Sequence, residues 1–147
     1  MFVFEPLPHM YKMICNRFRT EDIHDIVVSE CAVWDKDEKL NFCEDKEASR
    51  IKPQGTTVVD GRAIDGLVGS EEVTYIKMDI EGSELRALMR AKNTILRCKP
   101  KLAICIYHKS YDVIELALYI LSLVLEYKLG IRHYATNMCE TVLYASV

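Results

Sequence analysis

A short apolar stretch that runs straight into a carboxylate-rich turn constrains this chain most: Tyr75-Ile76-Lys77-Met78-Asp79-Ile80-Glu81-Gly82-Ser83-Glu84. Val73 to Met78 is brief and rich in β-branched and large apolar residues, the composition of a strand buried on both faces of a parallel sheet. Gly82 permits a sharp turn. Ser83 can then cap a helix running to about Cys98, in which Leu85, Leu88, Met89, Ile95 and Leu96 recur at helical spacing. A helix that starts at the carboxyl end of a strand puts Asp79 and Glu81 at the edge where open α/β sheets bind ligands. The same two acids would also suit the positive amino end of the helix with no chemical role, and the local pattern does not separate these readings.

The rest of the chain alternates in the same way. Met1 to Glu5 reads as a strand, and Pro8 opens a helix to about Arg19 through Met10, Tyr11, Ile14 and Phe18. Ile26-Val27-Val28 and Cys31-Ala32-Val33 are strand-like, and Lys36 to Lys39 is polar enough for a turn. Leu40-Asn41-Phe42 reads as a short edge strand with Thr56 to Val59 as its antiparallel mate, separated by a charged loop from Glu44 to Lys52. Ile64 to Val68 fits a brief helical turn. After the helix from Ser83, Pro100 acts as a stop and Leu102 to Tyr107 forms a buried strand ending at His108. Asp112 can cap a helix to about Leu125, and Tyr127–Tyr134 and Thr141–Ala145 read as two last strands around a turn at Asn137. This order predicts one α/β domain over residues 1–147, with a mostly parallel sheet and antiparallel carboxyl-terminal strands.

Composition excludes several classes. Half of the 147 residues are apolar, 28% are charged and the net charge is −3, so no basic surface points to nucleic acid. The six cysteines (15, 31, 43, 98, 105, 139) show no C-x-x-C spacing, which argues against a structural zinc site and for reduced thiols in a cytoplasmic compartment. No secretion signal is read at the amino terminus. The most apolar segment, Val113 to Leu125, is interrupted by Glu115 and Ser122 and is shorter than the roughly 20 residues a membrane span needs. It predicts a buried or partner-facing helix, and a candidate homodimer contact at Leu121 and Leu125.

Four strand ends carry titratable groups: Glu5, Asp79 with Glu81, His108 and His133. Glu5 could accept hydrogen bonds from both hydroxyls of a ribose, or could simply occupy a surface turn. A neutral imidazole at His108 or His133 is a plausible base for a hydroxyl proton, and each ring could equally be a satisfied structural histidine. Two carboxylates and a histidine could also hold a divalent metal, but the spacing does not select this over hydrogen bonding, and no metal is expected.

Taken together, Phe4-Glu5-Pro6, Ala32-Val33-Trp34-Asp35, Ile64-Asp65, Ile76-Lys77-Met78-Asp79-Ile80-Glu81-Gly82, Lys99-Pro100-Lys101-Leu102-Ala103-Ile104, Tyr107-His108-Lys109, Arg132-His133-Tyr134 and Glu140-Thr141-Val142-Leu143-Tyr144 resemble the FkbM family of S-adenosylmethionine-dependent methyltransferases. The resemblance covers nearly the whole chain. It implies a class I methyltransferase (Rossmann-like) sheet, with Glu5 on the cofactor ribose, the segment around Ala32 near the adenine and Asp79 near the transferred methyl. Asp79, Glu81, His108 and His133 become the candidate catalytic residues. The implied reaction is O-methylation of a hydroxyl on a small molecule or glycan, such as a sugar or natural product.

One departure bears on that reading. Members of this fold open with a strand and a G-x-G-type turn that lets the backbone approach the cofactor. The six glycines here, at 55, 61, 66, 69, 82 and 130, include no G-x-G and none precedes Glu5. The expectation is therefore an amino-terminally truncated domain lacking the first strand and the glycine-rich turn. The alternative function is a non-catalytic fragment acting as an interaction module or having no activity.

Overall fold

The computed structural model describes residues 1–43, 50–51, 54–137 and 139–147. They fall into two compact units, Met1–Ala63 and Ile64–Val147.

In the first unit, β1 (Phe2–Phe4) leads into α1 (Pro8–Thr20), and the chain returns as β2 (Val27–Ser29), parallel to β1. Pro8 stands in the first turn of α1, where its missing N–H costs nothing. β3 (Ala32–Val33), β4 (Glu38–Cys43), β5 (Arg50–Ile51) and β6 (Thr57–Arg62) make a second sheet in the order β3-β6-β4-β5. Leu40 and Phe42 are buried and Asn41 between them is exposed, the period-2 alternation of a half-buried strand. They pack with Leu7, Ala32, Trp34 and Val59. Leu40 pairs with Val59 as expected, but β4 starts inside the segment read as a turn. Glu38 and Lys39 pair with Gly61 and Asp60, and the Lys39 ammonium meets the Asp60 carboxylate at 2.8 Å. Cross-strand pairing outweighs local polarity there. Of the loop expected over Glu44–Lys52, Arg50–Ile51 form β5, and residues 44–49 and 52 lie outside the described residues.

The second unit contains α2 (Ile64–Val68), β7 (Tyr75–Met78), α3 (Glu84–Met89), α4 (Lys92–Cys98), β8 (Lys101–Cys105), α5 (Asp112–Leu123), β9 (Lys128–His133) and β10 (Thr141–Ser146). Its sheet runs β7-β8-β10-β9, parallel between β7 and β8 and antiparallel elsewhere. β8 is interior, which is why Leu102 to Ile106 is apolar without alternation. On the helices of this unit Leu88, Ile95, Leu116 and Ile120 are all fully buried. The β1–β2 sheet is thus parallel, and the two four-stranded sheets are mixed, with parallel and antiparallel pairs.

The helix expected from Ser83 to Cys98 is two helices. The Arg90 and Ala91 amides bond back to the Ala87 and Leu88 carbonyls, three residues away, and α4 begins afresh. Asp65, from α2, supplies the new start. Its carboxylate accepts from the Asn93 and Thr94 amides at 3.0 and 2.9 Å and from the Thr94 hydroxyl at 2.7 Å. An acid from elsewhere in the chain acts as the amino-terminal cap of α4. Lys99, left-handed at φ 44°, closes α4 ahead of Pro100.

Candidate active site

β7 and β8 lie side by side in parallel, with Met78 opposite Ile104. Their carboxyl ends therefore open at one edge, and the residues that leave the sheet there, Asp79 from β7 and Tyr107-His108 from β8, meet. The geometry that brings them together is set by the turn after β7. Glu81 (φ 55°) and Gly82 (φ 87°) are both left-handed, and the Ser83 amide closes the turn on the Ile80 carbonyl at 3.2 Å. Glycine takes such a conformation freely, whereas a glutamate held in it is strained. The Lys109 ammonium donates to the Gly82 carbonyl, tying the β7 turn to the β8 end.

His108 is the hub. Its side chain is only 8% exposed. Nε2 lies 3.5 Å from Asp79 Oδ1 and 3.5 Å from Glu81 Oε2, and Nδ1 lies 3.0 Å from Glu84 Oε1. Burial of the imidazole works against its charged form, but the Glu84 carboxylate, with Glu81 and Asp79 behind it, works for it, and the balance leaves the His108 pKa raised. The Tyr107 hydroxyl donates to Asp79 Oδ1 at 3.1 Å. Burial, with the Asp79 charge beside it, raises the Tyr107 pKa, so the phenol stays a neutral donor. Cys105 is pushed up to about 12, by burial first and then by Asp79, and is an inert thiol. Asp79 and Glu81 remain partly open, at 27% and 31%, so this is the side from which a ligand would reach His108 Nε2.

Asp79, Glu81 and His108 each offer one ligand atom, all within 4.8 Å of one another, and Glu84, His108 and Asp112 form a second such trio. The three carboxylates on His108 and the Lys77 ammonium 3.6 Å from Asp79 already supply charge partners within the cluster.

The other expected positions fall elsewhere. His133 ends β9, exposed, with Nδ1 2.8 Å from the Thr141 hydroxyl, and is not among the residues gathered around His108. Glu5 ends β1 in the first unit, where Oε1 accepts from the Leu7 amide at 2.9 Å, a capping bond just ahead of α1. Oε2 is the atom that a ribose hydroxyl could use. Ala32 is 6% exposed within the packed side chains of its unit.

Two contributors escaped the sequence reading, Tyr107 and above all Glu84. The signal for Glu84 was present: Glu84, Leu88, Ala91 and Ile95 follow at intervals of four, three and four, and the last three are fully buried. An acid in line with such a stripe is destined for burial, and a buried acid needs a partner.

A family model for the methyltransferase FkbM domain matches residues 3–129. Among solved structures, the crystal structure of methyltransferase FkbM from Methylobacillus flagellatus KT is similar, with 33% sequence identity and a TM-score of 0.82 over 98% of this chain. The match covers 36% of that chain, so the present sequence spans little more than a third of its length. No curated protein matches. The chain belongs to the FkbM methyltransferase family, and its α/β fold is Rossmann-like.

Proposed function

We propose that this member of the FkbM methyltransferase family moves a methyl group from S-adenosylmethionine to a hydroxyl of a sugar or natural product, with Asp79, Glu81 and His108 at the reaction centre. The observation that carries this is the buried imidazole whose Nε2 is flanked at 3.5 Å by two carboxylates on the open side of adjoining parallel strand ends. S-adenosylmethionine, when bound, would supply an electrophilic methyl group to the acceptor oxygen, and Glu5 with the segment around Ala32 would hold it. The protein positions and manages charge. His108 Nε2 takes the hydroxyl proton, and the imidazolium so formed is stabilised by Asp79, Glu81 and Glu84. Asp79, held by Tyr107, orients the acceptor hydroxyl. Glu5 Oε2 is assigned to the cofactor ribose and the segment around Ala32 to the adenine, and His133 is the other candidate catalytic histidine. The six cysteines are all free thiols, in keeping with a cytoplasmic setting. No helix among the described residues is long and apolar enough to cross a membrane.

The test is methyl transfer from labelled S-adenosylmethionine to a panel of hydroxyl compounds. His108→Gln should lower turnover by about 10²–10⁴-fold, the usual worth of a general base. Unchanged turnover in both His108→Gln and Asp79→Asn overturns the assignment. A second reading is a non-catalytic fragment acting as an interaction module or having no activity. Calorimetry separates the two: heat of binding with S-adenosylmethionine supports the enzyme, and none supports the module.

A further inference from the structure

We propose that Glu84 is a positioning residue for His108: its carboxylate accepts the proton carried by Nδ1 and so leaves Nε2, facing Asp79 and Glu81, as the nitrogen that exchanges the working proton. The second half of this statement rests on His108 being the proton acceptor. The first half stands on geometry alone.

Glu84 is 1% exposed, at the first residue of α3. Its Oε1 lies 3.0 Å from His108 Nδ1 and also takes the Ile80 amide proton at 3.0 Å. One carboxylate thereby joins the turn that carries Asp79 and Glu81 to the ring at the end of β8. Its other oxygen, Oε2, and both His108 ring nitrogens are buried without an aligned hydrogen bond. Buried polar groups left in that state are rare and costly. The nearest carboxylate oxygen to either ring nitrogen is Glu84 Oε1, 3.0 Å from Nδ1, against 3.5 Å for both contacts at Nε2.

A neutral imidazole carries one proton, so whichever nitrogen finds the better acceptor keeps it. Nδ1 has Glu84 at 3.0 Å, fully buried, whereas Nε2 has Asp79 and Glu81 at 3.5 Å, both partly in water. Screening weakens the latter pair and not the former. The Nδ1–H form is therefore favoured, which is the form with a basic lone pair aimed at the open side. The other charges near the ring are consistent with this. Asp112, on α5, spends Oδ2 on the Lys109 amide at 2.9 Å, and the Lys109 ammonium is committed to the Gly82 carbonyl. A glutamate buried only to seat the Ile80 amide would have no such effect on the ring.

The experiment is a pH titration of the imidazole nitrogens by ¹⁵N NMR on the 147-residue chain, with His108 assigned by its loss in His108→Gln. Above its titration the wild-type ring is expected to be protonated at Nδ1 and bare at Nε2. Glu84→Gln keeps the side-chain shape and an oxygen for the Ile80 amide but removes the charge. It should lower the His108 pKa by about 1–3 units, the effect of losing a close opposite charge. Its pH–rate profile should move to lower pH by the same amount, in kcat more than in KM. A wild-type ring protonated at Nε2, or an unshifted pKa in Glu84→Gln, overturns the proposal. Should Glu84→Gln fail to fold by circular dichroism, the wild-type tautomer decides alone. Full turnover in His108→Gln, with the tautomer as expected, would instead overturn the catalytic reading and leave the Glu84 contact standing.

Discussion

At the scale of single residues, the site is an exercise in placing one imidazole among three carboxylates. Its raised folded pKa makes a prediction about stability as well as chemistry. Charged His108 is favoured in the folded state, so its contribution is fully present below its unfolded value of about 6.5 and is lost as pH rises through the folded value. The stability of the wild type relative to His108→Gln, from urea midpoints, should therefore decline between mildly acid and mildly alkaline pH. Activity should run the other way and rise with pH, because only the neutral ring accepts a proton. Gly82 offers a second test. Its φ of 87° suits glycine, and a Cβ there would meet the Lys109 Cε at 3.0 Å. Gly82→Ala should cost about 1–3 kcal/mol in denaturant unfolding, the range for a non-glycine residue held in a sparsely populated backbone region.

At the scale of elements, the division of the expected long helix into α3 and α4 shows tertiary contact overriding periodicity. Leu88, Ala91 and Ile95 keep their helical spacing across the break and are all fully buried. Hydrophobic pattern alone cannot see the interruption, because both sides of it face the same core. What makes the break tolerable is the Asp65 carboxylate, which gives the first amides of α4 an acceptor. Asp65→Ala should cost about 0.5–2 kcal/mol, as loss of an amino-terminal cap does, and Asp65→Asn less, both from denaturation midpoints at constant slope. Ser83 and Asp112 illustrate the converse. Each stands where a helix was expected to start, yet Ser83 makes no side-chain cap bond, and Asp112 is the first helical residue, reaching back to the Lys109 amide instead. Sequence signals for capping name the place more reliably than the bond.

At the scale of the whole molecule, α5 turns Leu116 and Ile120 into the core of its unit, while Ile114 and Leu118 are 66% and 63% exposed. These two and the half-buried Leu121 share one side of the helix at spacings of four and three. Of the two residues expected to contact a second copy of the chain, Leu121 lies in that stripe and Leu125 lies beyond the end of α5, 86% exposed. Leu118→Glu should reduce the mass seen by light scattering if the pair forms, and an unchanged mass in wild type and variant would remove the homodimer from the account.

The amino-acid sequence by itself determined the order and type of nearly all these elements, the strand-end positions of Asp79, Glu81 and His108, and the family. All of these are written in local periodicity, turn residues and motif order. Tertiary structure alone decided which of the candidate residues touch. It joined Asp79, Glu81 and His108 because β7 and β8 are parallel neighbours, left His133 with Thr141, and drew Glu84 onto Nδ1. The reason is physical: a side chain's partners depend on strand pairing and on burial, which are set by contacts between residues far apart in sequence, as between Glu84 and His108 or Asp65 and Thr94.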